Sequence, residues 1–281
     1  MTLLVFGSTG QVGQALAKME GVTALSRAEA DLSQPSSCAQ AIRDYAPKAV
    51  INAAAYTNVD QAEAEPELAR LINAEAPGAM ARTCAALDIP FVHISTDYVF
   101  DGQGESAFHP DAETAPLNNY GATKLAGENA VRAAGGCSAI LRTSWVFSAT
   151  GRNFLTTMLR LGAERDRLNV VADQIGGPTP ANAIAEACVK IVAGLKQRPD
   201  LSGTYHISGA PDVSWAGFAR AIFKVNGLGV AVSDIETSQY PTPARRPLNS
   251  RLDCSSLHAN FGIERPDWYG ELQRIARKDA A

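Results

Sequence analysis

Short apolar runs alternate with longer amphipathic stretches along the first half of the chain. The apolar runs predict buried strands at Thr2–Phe6, Val22–Leu25, Ala49–Asn52, Phe91–Ser95 and Ser138–Arg142. The amphipathic stretches predict helices at Gly10–Met19, Ser36–Tyr45, Glu67–Leu87 and Tyr120–Ala134. Strands that alternate with helices at this spacing are typical of βαβ units. We therefore expect an α/β fold of the Rossmann type, in which a doubly wound parallel sheet is covered by helices on both faces.

The alternation weakens after about Trp145. Beyond it, we predict helices at 153–164 and 181–196 and a strand at 204–207. The segment 238–253 reads as irregular because it contains several prolines. This mixed pattern predicts a first domain over 1–145 and a smaller mixed α/β lobe over 146–281, with some segments of the second half returning to the first domain.

The composition limits the classes of function. Hydrophobic residues make up 46% of the chain, charged residues 19%, and the net charge is −4. This is an ordinary globular balance without the basic field that holds a nucleic-acid backbone, so nucleic-acid binding is not expected. No stretch approaches the roughly 20 apolar residues that span a bilayer, so no membrane partner is expected either.

Cysteine usage points to a reducing compartment. The five cysteines are far apart and form no C-x-x-C pair, and the four histidines are also scattered. Such a pattern favours isolated thiols in the cytoplasm over a disulfide framework, and it predicts no metal cluster.

A glycine-rich turn follows the first predicted strand. It reads Gly7-Ser8-Thr9-Gly10-Gln11-Val12-Gly13 and leads directly into the first predicted helix. Glycines let the backbone approach a pyrophosphate, and the N-terminus of the helix offers unpaired N–H groups to it. We expect Gly7, Gly10, Gln11 and Val12 to bind a dinucleotide. A glycine-rich turn without a ligand is the alternative, and the strand–turn–helix context favours binding.

The end of the second strand bears on the choice of cofactor. It reads Leu25-Ser26-Arg27, where an acidic residue would favour NADH and a basic one NADPH. Arg27 could bind a 2′-phosphate, although a solvated surface arginine is the alternative. We expect NADPH, with NADH still open, and we expect Asp31 and Leu32 near the adenine.

Small side chains follow the third strand. Ala53, Ala54 and Ala55, followed by Tyr56 and Thr57, would let a cofactor lie flat across the ends of the strands. Close packing of a helix on a strand would also select alanines, so only the position of this tract favours cofactor binding.

Tyr120 and Lys124 stand four residues apart near the start of a predicted helix, on one face of it. A carbonyl that accepts a hydride must also receive a proton, and a phenol can supply it. We expect the Lys124 ammonium to lower the pKa of Tyr120 and to bind the nicotinamide ribose. A surface helix pair is the alternative for an isolated Y-x-x-x-K.

Ser95-Thr96-Asp97 ends the fourth strand, where the substrate carbonyl should lie. Thr96 could donate a hydrogen bond to the carbonyl oxygen, and Asp97 could bind a sugar hydroxyl. A polar cap of the strand end is the alternative. Each of these features can occur by chance. It is far less expected that a glycine turn, a strand-end hydroxyl and Y-x-x-x-K occur by chance in this order in one chain.

These motifs resemble the dTDP-4-dehydrorhamnose reductase family within the extended short-chain dehydrogenases. The resemblance covers nearly the whole chain. It is carried by FGSTGQVG (6–13), NAAAYTNVDQAE (52–63), STDYVFDG (95–102), APLNNYGATKLAGE (115–128), LRTSWVF (141–147), NFLTTMLRL (153–161), DQIGGPT (173–179), YHISG (205–209) and YPTPARRPLNSRLD (240–253).

The resemblance implies reduction of the C4 keto group of a nucleotide-activated deoxysugar. It makes Tyr120 the proton donor and Lys124 its partner, and it places Thr96, Asp97 and Trp145 at the sugar. The residues it implies at the cofactor are Gly10, Gln11, Val12, Asp31, Leu32, Ala55, Tyr56 and Thr57. It also implies a homodimer and, in some members, Mg²⁺ at the subunit interface, for which the sequence places no ligands.

Two further residue types could contact the substrate. Trp145, just past a strand end, could pack its ring on a sugar, with a core tryptophan as the alternative. Arg245 and Arg246, in a proline-rich loop, could bind the diphosphate, with a solvated pair as the alternative.

Two other functions are compatible with the scaffold. One is a nucleotide-sugar epimerase or dehydratase, which would regenerate its nicotinamide. The other is a non-catalytic regulatory subunit that binds nucleotide. The intact Tyr120, Lys124 and Thr96 favour a reductase over a regulatory subunit.

Overall fold

A computed structural model describes residues 2–279. The strands in this range are β1 Leu3–Phe6, β2 Val22–Leu25, β3 Ala49–Asn52, β4 Phe91–Thr96, β5 Ser138–Thr143, β6 Val146–Phe147, β7 Arg167–Val171, β8 Ile175–Gly176, β9 Thr179–Pro180, β10 Gly203–Ile207, β11 Val213–Ser214, β12 Ala231–Ile235 and β13 Asn249–Ser250. The α-helices are α1 Gln11–Leu16, α2 Pro35–Tyr45, α3 Gln61–Ala64, α4 Pro66–Arg70, α5 Ala76–Ala86, α6 Asn119–Ala133, α7 Phe154–Glu164, α8 Ala181–Gln197, α9 Trp215–Val225, α10 Ser255–Phe261 and α11 Trp268–Asp279.

Six parallel strands form the central sheet, in the order β10-β5-β4-β3-β1-β2. The chain winds from β1 to one side through β2 and to the other through β3, β4 and β5. The strand order therefore reverses between β1 and β3, and a crevice opens there beyond the carboxyl ends of the strands. The predicted Rossmann-type sheet is confirmed.

Both faces of this sheet are covered by helices. On one face, α8 packs with α1 against β1, β3, β5 and β10 in a continuous apolar core. On the other face, α2 and α5 contribute Cys38, Ile42, Met80 and Cys84 to a second core. All four residues of β1 are buried, as a strand covered on both sides requires.

A smaller lobe follows β5. Its core lies between α7, α9 and α11 and contains Phe147, Phe218 and Trp268. Short sheets complete it, in the orders β12-β7, β11-β8-β13 and β6-β9. β10 is a strand of the large sheet and α8 packs on that sheet, although both come after residue 145. The second half of the chain is therefore not one contiguous lobe. The domain boundary at 145 stays a prediction.

Two predicted helices differ from those observed. The helix expected at Gly10–Met19 ends at Leu16 and is followed by turns. The helix expected at Glu67–Leu87 is interrupted by a π-helical turn at Leu71–Glu75. Pro77 explains the interruption, because its ring would clash with the carbonyl four residues earlier, that of Asn73.

None of the helices within residues 2–279 combines the length and apolarity needed to cross a bilayer.

Candidate active site

The candidate site lies where β4 ends and α6 begins. Asn118 caps α6, since its Oδ1 accepts a hydrogen bond of 2.8 Å from the Gly121 N–H. A Cβ on Gly121 would lie 2.2 Å from the carbonyl oxygen of Tyr98, so only glycine lets this helical turn approach so closely. The close approach brings the Tyr120 ring edge-on to the Tyr98 ring, with centroids 5.4 Å apart.

Tyr120 is half-buried, and its phenol lies beside Thr96. Burial raises the pKa of Tyr120 to about 12, the nearby Thr96 hydroxyl acts in the opposite direction, and the Asp97 charge raises the pKa further. Burial is the largest influence on the pKa of Tyr120 in this structure, and the expected lowering of that pKa by Lys124 stays a prediction. A phenol with a high pKa carries its proton at neutral pH, as a proton donor must.

Lys124 lies one turn further along α6 and is fully buried. Its Nζ donates a hydrogen bond of 2.7 Å to the carbonyl oxygen of Ile94 on β4 and lies 3.4 Å from Nε2 of His93. Burial lowers the pKa of Lys124 to about 8, while the negative charge of Glu128 acts to raise it.

Unpaired polar atoms mark the ends of two neighbouring strands. Thr96 and Thr143 stand side by side in the register of β4 and β5. The Thr96 hydroxyl donates to Asp97 Oδ1 at 3.1 Å. Asp97 Oδ2 and the Thr143 hydroxyl are buried without a hydrogen-bond partner in residues 2–279. Burial raises the pKa of Asp97 to about 6, although the hydroxyls of Ser250 and Thr96 act against it. Buried polar atoms of this kind suit a polyhydroxylated ligand.

A buried ion pair holds α6, the helix that carries Tyr120 and Lys124. Glu128 lies on the same face of α6 as Tyr120 and Lys124, eight and four residues further on. Its carboxylate accepts hydrogen bonds from Nε and a terminal nitrogen of Arg142 at 2.8 and 2.7 Å, and from the Ser95 hydroxyl at 2.7 Å. Glu128 and Arg142 are 0% and 1% exposed, so this contact ties α6 to β4 and β5 inside the protein.

The glycine turn has the geometry of a cofactor cradle. Gly7 has φ +96°, and a Cβ there would meet Ala54 at 2.8–2.9 Å. A Cβ on Gly13 would lie 1.9 Å from the carbonyl oxygen of Gly7, so α1 can approach the turn only with glycine. Gly10, in contrast, has open space around its Cα. Among the described residues, its chain neighbours left aside, the Gly7 carbonyl oxygen would be the nearest atom to an added Cβ, at 3.5 Å. The backbone is accessible to a ligand at that position.

The other predicted cofactor residues differ in what they expose. Val12 and Leu32 bury their side chains in the two cores of the sheet, so only their backbones could meet a cofactor. Gln11 spans the two halves of the chain, donating to the carbonyl oxygen of Val146 at 3.3 Å. Ala53 and Ala55 are half-buried.

Arg27 and Asp31 form an exposed ion pair at 3.3 Å. Asp31 also accepts a hydrogen bond from the Ser33 N–H, which together with Arg27 holds the pKa of Asp31 below its usual range. Arg27 lies at the end of β2, where sequence placed it, and its charge is already matched by Asp31.

The π-helical turn holds the segment after β3. Asn73, within it, accepts a hydrogen bond of 2.8 Å from the Tyr56 N–H and donates to the Tyr56 carbonyl oxygen and to the Thr123 hydroxyl on α6, each at 3.1 Å. It thereby joins the expected cofactor segment to α6. Thr57, the next residue, is exposed.

Trp145 adopts φ +48°, rare for a bulky residue, and its ring stacks on Trp215 with centroids 3.6 Å apart. Trp215 is fixed in turn by a hydrogen bond from its Nε1 to Gln174 at 3.1 Å. The predicted sugar-facing ring is thus part of a tryptophan pair.

Arg246 pairs with Asp60 at 2.9 Å, and Asp60 also accepts from the Ala244 N–H at 3.2 Å. Asn118 donates to the carbonyl oxygen of Arg245, whose side chain is exposed. The proline-rich loop is therefore fastened to the edge of the candidate site, and the Arg246 charge is already matched by a carboxylate.

Sequence reasoning missed several residues of the site. Glu128 could have been found from its spacing of four and eight residues from Lys124 and Tyr120. His93, Asn52, Asn73, Trp215 and Asp60 carry no comparable signal, since each meets its partner across the fold. Three or more potential metal-ligating side chains do not cluster anywhere in the described range.

Comparisons with known proteins identify the family of this chain. A family model described as the RmlD substrate binding domain matches residues 1–280. A dTDP-4-dehydrorhamnose reductase of Burkholderia thailandensis is 46% identical over 95% of both chains. One of Sinorhizobium fredii is 43% identical over 98% of this chain and 96% of its own. The crystal structure of dTDP-4-dehydrorhamnose reductase from Bacillus anthracis in complex with NADP has a TM-score of 0.92 and 34% identity, and the match covers 99% of this chain and 100% of that one. The chain therefore belongs to the RmlD substrate binding domain family, together with these dTDP-4-dehydrorhamnose reductases.

Proposed function

We propose that this protein is an NADPH-dependent reductase that converts the C4 keto group of dTDP-4-dehydro-L-rhamnose to the alcohol of dTDP-L-rhamnose. The observation that carries the proposal is the Tyr120 phenol beside Thr96 at the end of β4, in a chain 46% identical to a reductase with that name. The glycine cradle fits the NADP that is bound in the B. anthracis relative.

NADPH, when bound, supplies the hydride that adds to C4. Thr96 turns its hydroxyl proton from Asp97 Oδ1 to the carbonyl oxygen, and Tyr120 transfers its phenolic proton to that oxygen as negative charge develops there. Lys124 orients the nicotinamide ribose. Asp97 Oδ2 and the Thr143 hydroxyl, which have no partner among residues 2–279, bind sugar hydroxyls, and the Trp145 ring packs on the sugar ring.

The remaining cofactor assignments belong to the same proposal. Backbone groups of Gly7, Gly10, Gln11 and Val12 hold the pyrophosphate, Ala53 to Thr57 line the nicotinamide half, and Asp31 and Leu32 border the adenine. Arg27 would have to exchange Asp31 for the 2′-phosphate, and Arg246 would have to share its guanidinium between Asp60 and the diphosphate. A cytoplasmic homodimer and an interface Mg²⁺ stay predictions.

Replacing Tyr120 by Phe tests the proposal. The substitution removes the proton donor and keeps the ring, so kcat should fall about 10²- to 10⁴-fold. The Kd for NADPH should stay within about threefold, because the phenol proton serves chemistry more than binding. The substrate is generated from dTDP-4-dehydro-6-deoxyglucose with a 3,5-epimerase, and NADPH consumption is followed by absorbance.

The matched control is Tyr45→Phe, which removes a hydroxyl from an exposed tyrosine on α2 and should leave kcat unchanged. Stoichiometric loss of NADPH separates a reductase from an epimerase or dehydratase. Near-normal turnover in the Tyr120→Phe variant would refute the assignment.

A further inference from the structure

Three buried polar side chains form a line beneath the candidate site. Asn52 ends β3, His93 lies on β4 and Lys124 on α6, and none is more than 1% exposed. Asn52 Nδ2 lies 3.1 Å from His93 Nδ1, and His93 Nε2 lies 3.4 Å from Lys124 Nζ. Tyr120 lies one turn before Lys124, so the line leads from the interior toward the proposed proton donor.

The backbone fixes the direction of the hydrogen bonds in this line. Asn52 Oδ1 accepts a hydrogen bond of 3.1 Å from the Ala54 N–H, which orients the side-chain amide and turns Nδ2 toward His93. Because Nδ2 can only donate, His93 Nδ1 must accept. A neutral imidazole that accepts at Nδ1 carries its proton on Nε2. Burial and the neighbouring Lys124 charge both lower the pKa of His93 well below its usual value, so the imidazole is neutral.

This tautomer has a consequence for Lys124. The Nε2–H of His93 points at Nζ, and an ammonium has no lone pair to accept it, whereas an uncharged amine does. The contact therefore favours the amine. Tyr120 and Glu128 lie one turn before and one turn after the lysine on α6, and the Glu128 charge is already met by Arg142 and by Arg132.

We propose that His93, with its tautomer set by Asn52, is a positioning residue that makes Lys124 a ready proton donor for regenerating Tyr120. The inference rests on the proposed function. After reduction, Tyr120 is a phenolate. A proton leaves Nζ for the phenolate oxygen, the lysine becomes an uncharged amine, and its lone pair accepts the Nε2–H bond from His93. The lysine regains a proton from water before the next turnover, and His93 keeps its own proton throughout. A proton donor works best when its pKa lies near the working pH, and the buried lysine meets that condition.

Two variants test the inference. His93→Gln can turn an amide oxygen toward Nζ, and Asn52→Asp would draw the imidazole proton to Nδ1 and leave Nε2 an acceptor. Both changes favour the ammonium, so the alkaline limb of the kcat–pH profile should move up by about one unit or more. The KM for NADPH should change much less than the position of this limb. The matched control is His206→Gln, a buried neutral histidine on β10 that faces Arg142, and it should leave the limb in place.

A second measurement does not depend on turnover. In protein labelled with ¹⁵N-histidine, His93 should show a protonated Nε2 and an unprotonated Nδ1 from neutral to mildly alkaline pH. An Nδ1–H tautomer, or folded His93→Gln and Asn52→Asp variants with an unmoved alkaline limb, would overturn the inference. Failure of the proposed function would look different, since wild type would then not reduce the keto sugar at all while the tautomer signal stayed readable.

Discussion

Glu128→Gln offers a quantitative test of how α6 is held. The carboxylate accepts four hydrogen bonds, two from Arg142 and one each from Ser95 and Arg132, at 2.7–2.8 Å. Glutamine keeps one acceptor oxygen and turns an NH₂ group toward guanidinium donors. At least two charge-assisted bonds are lost, each worth about 1.5–3 kcal/mol, and the buried Arg142 is left without a counter-charge. The lost hydrogen bonds and the unpaired Arg142 charge each predict that the free energy of unfolding falls by about 3–5 kcal/mol.

The measurement is urea unfolding followed by far-UV circular dichroism, because all three tryptophans lie after residue 144 and would report mainly on the smaller lobe. A loss of this size should lower the urea midpoint by about 1 M or more. The control is Glu164→Gln, which breaks an exposed pair with Arg160 and should cost at most about 0.5 kcal/mol.

The pH dependence gives a second check on the same variant. Burial raises the pKa of Glu128, but the hydrogen bonds and charge of Arg142 outweigh it and leave the pKa below its usual value. A carboxyl with a depressed folded pKa stabilises the protein above its unfolded pKa, and this contribution is lost as the pH falls. The gap between wild type and Glu128→Gln should therefore shrink below about pH 4. Equal midpoints for Glu128→Gln and Glu164→Gln at neutral pH would refute the reasoning.

Two further predictions concern the glycine turn and the Asp97 side chain. Gly13→Ala places a methyl 1.9 Å from the Gly7 oxygen, so calorimetry should show NADPH binding weakened by about tenfold or more, whereas Gly229→Ala, with no atom within 4 Å of the new methyl, should bind normally. Asp97→Asn removes a buried carboxylate whose pKa is raised to about 6, so it should abolish reduction yet stabilise the protein by up to about 3 kcal/mol above pH 6. Since both folded and unfolded wild type are protonated below about pH 4, that gain should vanish there, and a gain independent of pH would contradict the assigned cause.

The sheet, and the placement of Tyr120 and Lys124 on one helix, were within reach of the sequence because both leave a periodic signal. Buried strands appear as apolar runs, and Tyr120 and Lys124 share a helical face by their spacing. Contacts between distant positions leave no such trace. Asn52 and His93 are 41 residues apart, and Arg142 meets Glu128 from a different element, so only the fold brings them together.

The charge state of the site was the other point that sequence could not supply. A lysine four residues after a tyrosine indicates a lowered phenol pKa only if the phenol keeps its solvent. In this fold burial dominates, and the pKa of Tyr120 rises instead. The interruption at Leu71–Glu75 was similarly invisible to periodicity, although Pro77 gives its cause in retrospect.

The return of α8 and β10 to the large sheet limits how the chain can be divided. A fragment that stopped at residue 145 would carry the glycine turn and α6 but would leave one edge of β5 unpaired. It would also uncover the core that Ile184, Ile191 and Leu195 fill, each worth about 1.5–3 kcal/mol when buried. A chimera designed to exchange sugar specificity between relatives should therefore keep residues 181–207 with the cofactor half and graft only the segments on either side of them.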